Sequence, residues 1–136
     1  MVDPHQLIEA RKCGEIRYAV AMEMSLDMSR VLAKFGLRAD ASLLVAHDRE
    51  TAHAILGTLL WKDMAYGTEC MPRAQADQLA QEVLAGHADA SSRYFSNGDW
   101  TKSESWNPLT EATFDAGLIV TCGENRYFCI WFEDED

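Results

Sequence analysis

The sequence predicts an α+β domain: N-terminal helices packed on a small C-terminal antiparallel β-sheet that ends in a hairpin. Two observations predict it. Residues 3–86 carry apolar positions spaced mostly by three and four, the repeat of a helix face. Residues 92–133 change character: they are rich in Ser, Asn, Gly and aromatics, and they close on two runs, Gly117–Cys122 and Tyr127–Phe132. Those runs are built from the β-branched and aromatic residues that suit a pleated strand. Both faces of each run are apolar, as in strands covered on two sides. The length of 136 residues and the 48% hydrophobic content suit one domain, residues 1–136, with a core of its own.

The first helix begins at Asp3-Pro4-His5-Gln6. Asp3 can cap it, Pro4 suits its first position, Gln6 can complete a capping box, and Val2 and Leu7 are placed for a hydrophobic staple. After a pause at Gly14, the spacing of Ile16, Val20, Met24, Met28, Val31, Leu32 and Phe35 predicts a second helical stretch facing the core, closed by Gly36. The methionines there could instead line an adaptable groove. Residues 41–46 read equally as strand or as helix. From Asp48, a natural cap, the stripe Ala52, Ile55, Leu56, Leu59 and Leu60 predicts a helix in a segment ending near Tyr66-Gly67. Another starts near Pro72, lines Ala76, Leu79, Ala80, Val83 and Leu84, and stops at Gly86. Arg93-Tyr94-Phe95 predicts a short strand before a turn at Asn97-Gly98-Asp99, and Trp106-Asn107-Pro108 a bend. A hairpin turn centred on Glu124-Asn125 would pair Cys122 with Tyr127 and Cys129 with Val120. It would set Leu118, Val120, Cys129 and Trp131 on one face.

Motifs that carry chemistry are scarce. His47 and His53 stand six apart, not the three or four that align ligands on a helix, and no Cys-x-x-Cys occurs. There is no nucleophile elbow, P-loop or dinucleotide fingerprint. Cys13, Cys70, Cys122 and Cys129 are scattered, so the expectation is four reduced thiols, no metal, no cofactor and no catalytic residue. Asp99, Glu104, Glu111 and Asp115 surround the tryptophans of loop 99–115, an arrangement that could serve an enzyme acting on a polar substrate. Exposed loop acids are the plainer reading, and Asp115 also suits turn capping.

Charge is the remaining signal. Acids outnumber Lys and Arg by 22 to 12, a formal net charge of −10. Nucleic acid and anionic membranes call for clustered cations, so neither is an expected partner, whereas a basic protein is. Acidity for solubility alone would leave the same count. Residues 91–136 hold nine acids and three bases together with Trp100, Trp106 and Trp131. Aromatic anchors in a charged rim suit protein recognition. The expected partner-binding residues are therefore Asp99, Trp100, Glu104, Trp106, Asp115 and the tail Glu133, Asp134, Glu135 and Asp136. That tail could equally be a solvated guard against strand aggregation. In size, acidity and late strands the chain resembles the small acidic immunity proteins of bacterial toxin systems. The resemblance implies a non-enzymatic inhibitor that neutralises a basic toxin domain. A structural or oligomerising module is a third reading, expected if the helices expose an apolar stripe. With no signal-peptide pattern and no apolar run of ~20 residues, the expected setting is cytoplasmic.

Overall fold

The computed structural model describes residues 3–102 and 106–135. Its elements are helix α1 (Pro4–Arg11), strand β1 (Glu15–Met22), helix α2 (Met28–Lys34), strand β2 (Val45–His47), helices α3 (Arg49–Trp61) and α4 (Arg73–His87), and strands β3 (Tyr94–Ser96), β4 (Phe114–Thr121) and β5 (Arg126–Asp134). Short 3-10 turns occupy Ala41–Leu43 and Trp100–Lys102. The fold is α+β, and its single sheet is antiparallel throughout, in the order β1-β5-β4-β3-β2.

The caps read at Asp3 and Asp48 are in place, while no Gln6 side-chain bond completes the expected box among the described residues. Asp3 accepts from the backbone N–H of His5 at 2.9 Å and Asp48 from that of Thr51 at 2.7 Å. Val2, one half of the expected staple, lies outside the described residues. Gly36, at φ 71°, ends α2 in a Schellman motif: the Leu37 N–H reaches the Leu32 carbonyl and the Gly36 N–H that of Ala33. Leu32 and Leu37 then meet in the same core.

The second helical stretch is corrected. Only Met28–Lys34 is helical, and Glu15–Met22 is a strand that runs antiparallel to β5 from Glu15↔Glu133 to Met22↔Arg126. Ile16, Tyr18, Val20 and Met22 also recur at period two, and their β-branched and aromatic members suit a strand. Tertiary pairing decided between the two periods. Met24, expected in the core-facing stripe, is instead 80% exposed, and Leu26 nearby is 91% exposed. The ambiguous stretch divides, with Ala41–Leu43 a 3-10 turn and Val45–His47 a strand. α3 stops at Trp61, short of the expected end, and Asp63–Thr68 form a turn with Gly67 at φ 65°.

The two late runs pair antiparallel and are buried on both faces, as expected, but one residue out of the expected register. Cys129 pairs with Ile119, Ile130 with Leu118 and Trp131 with Gly117. The loop is Gly123-Glu124-Asn125, with Gly123 at φ 125° and Asn125 at φ 59°, and the Cys122 N–H bonds the Arg126 carbonyl. A shift of one residue exchanges the faces. Leu118, Val120, Phe128, Ile130 and Phe132 therefore pack on α3, α4 and Leu7, whereas Ile119, Tyr127, Cys129 and Trp131 pack on Val31, Leu32, Phe35, Leu37 and Leu109.

The cysteine expectation is also corrected. Cys13 and Cys70 form a disulfide, their Cα atoms 6.0 Å apart, and Cys122 and Cys129 are free. Their separation of 57 residues hid the pair: only the fold brings the end of α1 beside the segment leading into α4. Among the described residues no helix is long and apolar enough to cross a membrane.

Candidate functional site

Most carboxylates expected to face a partner are occupied within the fold. Asp115 is fully buried at the start of β4. It accepts from the Trp131 indole at 3.0 Å, the Leu109 N–H at 3.0 Å, the Thr110 N–H and hydroxyl at 3.2 and 3.1 Å, and the Asn97 amide at 3.4 Å. Through it the loop before β4 is tied to both the β3 end and the sheet. Asp99 is buried and caps the turn Trp100–Lys102 by accepting from the Thr101 N–H at 2.9 Å. Its other oxygen lies 4.0 Å from the Lys102 ammonium.

The acidic tail is largely the end of a strand. Asp134 takes both arms of the buried Arg11 guanidinium, at 2.8 and 2.7 Å, and the Met64 N–H at 2.8 Å. Arg11 also donates to the Leu59 and Cys13 carbonyls. Removing one member of such a pair would leave a buried charge uncompensated. Glu133 is half-buried against Arg17, and Glu135 is exposed and accepts from Thr113. Glu104 and Asp136 lie outside the described residues.

The tryptophans part ways. Trp131 is core, whereas Trp100 and Trp106 are half-buried and adjacent, their rings 5.6 Å apart, with Phe114 6.0 Å beyond Trp106. This aromatic row lies beside a groove of about 470 Å³ that the sequence did not single out. Its walls come from α3 (His53, Gly57, Trp61), α4 (Arg73, Asp77) and the turn that carries Trp100. Gly57 leaves room for the Asp77 carboxylate: a Cβ there would stand 2.8 Å from one of its oxygens and 4.0 Å from the Asp77 backbone. The Arg73 guanidinium lies 4.7 Å and the Lys62 ammonium 4.1 Å from the centre of the Trp61 ring. Such cation–π contacts favour keeping both cations beside the indole. The indole N–H groups of Trp61 and Trp100 are buried with no hydrogen-bond partner among the described residues. An unpaired buried donor costs about 1–3 kcal/mol.

The other chemical groups do not assemble into a centre. The His47 ring lies 3.1 Å from the Gly98 carbonyl and that of His53 3.1 Å from the Asp77 carbonyl. Burial pushes the Cys129 thiol far up from its ordinary range and the Cys122 thiol up as well, which disfavours thiolate chemistry at either. Among the described residues no group of three or more His, Cys, Asp or Glu is placed to hold a metal ion. Sequence reasoning found Trp100 and Trp106 because they stand in a polar loop. It missed Trp61 and Arg73, and weighed His53 only as a metal ligand, because these residues belong to two helices and only packing joins them to the loop. No family model, no curated protein and no solved structure matches this chain.

Proposed function

We propose that this chain is a non-enzymatic protein-binding module that occupies a basic surface of its partner, in the manner of an inhibitor of a bacterial toxin domain. The observation that carries the reading is the division of labour in loop 99–115. Its carboxylates at Asp99 and Asp115 are held by internal donors, whereas its indoles at Trp100 and Trp106 stay partly at the surface. An enzyme working through that loop would need those carboxylates free to reach a substrate. Half-exposed tryptophans in a row are instead the residues that anchor protein interfaces. The rim is mixed: Arg73 and Asp77 line the groove together, and the Lys102 ammonium lies 4.0 Å from Asp99. Attraction to a basic partner therefore rests on the net charge of −10 rather than on the acidic tail. The cytoplasmic setting belongs to the same proposal, and the Cys13–Cys70 bond weighs against it, since disulfides persist mainly in oxidising compartments.

The test begins with crosslinking in the source cell and identification of the bound protein. The expected partner is basic and associates faster at low salt. Trp106→Ala then speeds its dissociation by about 30-fold, the equivalent of ~2 kcal/mol. An acidic partner, or a dissociation rate that Trp106→Ala leaves unchanged, overturns the reading.

A further inference from the structure

We propose that the groove between α3, α4 and the turn Trp100–Lys102 binds a small carboxylate carried on a flat, apolar body. Two buried side-chain polar atoms lack a partner among the described residues, the Trp61 and Trp100 indole nitrogens, and both residues line this groove. An indole N–H can only donate, so what satisfies it is an acceptor. Both groups are closed to solvent in the free protein, so an acceptor in the groove would reach them only after the two rings turn.

Charge points the same way. Arg73 lines the groove, and Lys62 stands over the same Trp61 ring. Neither cation forms an ion pair among the described residues, in a chain that carries an excess of acid. A carboxylate accepts from a guanidinium and from indole N–H groups through charge-assisted bonds, which exceed neutral ones in strength. The Asp77 carboxylate, placed over Gly57, repels an anion at that end. The head group is therefore directed to the Trp61–Arg73 end. Ala54, Gly57 and Thr58 make a low floor beside the two indoles, which suits a planar apolar body. A volume of about 470 Å³ lies within the range of small-molecule sites. This site stands apart from the protein-partner reading: it shares Trp100 with it, but neither needs the other.

Sodium benzoate is the probe. In the ¹⁵N-labelled protein the four indole N–H resonances are assigned with Trp→Phe variants. That of Trp131, bonded to Asp115 at 3.0 Å, serves as the hydrogen-bonded reference. The Trp61 and Trp100 signals are expected upfield of it in the free protein, and saturable downfield movement is expected as benzoate is added. Arg73 is exposed and ends no buried network, so Arg73→Gln keeps the fold and weakens benzoate binding by about tenfold. Benzylamine, of similar shape and opposite charge, leaves both signals in place. Indole signals unmoved by benzoate, equal binding to the Arg73→Gln protein, or equal movement with benzylamine would each overturn the proposal.

Discussion

Asp115 shows how a residue that reads as a candidate acid becomes a joint. The sequence placed it at the start of a strand with turn capping as one of its roles, and capping is what its bonds to Leu109 and Thr110 achieve. Nothing in the spacing foretold that Trp131 and Asn97 would converge on the same oxygens, because those contacts depend on register and on loop path. His87 is a second case of burial setting a residue's behaviour. Its ring stacks on Phe128, with centroids 3.8 Å apart and planes 2° apart, and its Nε2 lies 2.7 Å from the Tyr18 hydroxyl. Burial, followed by the nearby Arg126, holds its pKa below the ordinary histidine value. The folded state thus binds that proton less readily than the unfolded chain. The stability it contributes is present above the unfolded histidine value and is lost as pH falls through the folded one. The urea midpoint is expected to drop between pH 8 and pH 5.5, and His87→Gln should shrink that drop. An equal drop in the variant would show that the titrating group lies elsewhere.

At the level of elements, the strongest sequence signals survived and the shared ones did not. α3 combines a cap at Asp48 with an apolar stripe, and α4 forms on its stripe and good helix formers without a side-chain cap; both form, although α3 ends at Trp61, short of the expected end. β4 and β5 combine propensity with a turn, and they pair, but turn chemistry alone left their register open by one residue. Residues 15–22 satisfy helix and strand periods at once, and only the partner strand settled the choice. Gly117 provides a direct test of the observed register. It lies opposite Trp131, and a Cβ added there would press on the Ile130 carbonyl and the Trp131 ring. Gly117→Ala is expected to destabilise by about 1–3 kcal/mol or more, the range for overpacking a filled core, measured by urea unfolding. A neutral substitution would mean that residue 117 does not face Trp131.

Over the whole molecule, composition correctly indicated a two-sided core but not its covalent brace. The disulfide joins residues 57 apart, and chain entropy gives such a closure roughly 4 kcal/mol of stability. Cys70→Ser should lower unfolding stability by about 2–4 kcal/mol, and thiol titration of the denatured wild-type protein should count two free groups rather than four. A count of four would remove the brace. The candidate site was legible only where its parts were local: the tryptophans of one loop could be read together, while a groove walled by three separated segments could not. The strand order has one further consequence. The chain leaves the ribosome from its first residue to its last, at roughly 5–20 residues per second, yet the strand that joins β1 to β4 is the last to emerge. Until β5 arrives, the core on α3 and α4 has the β4 side chains but lacks Phe128, Ile130 and Phe132, and the core on α2 lacks Tyr127, Cys129 and Trp131. Both cores are therefore completed only by β5, and a chain interrupted before Arg126 would present both unfinished to the cell's chaperones and proteases.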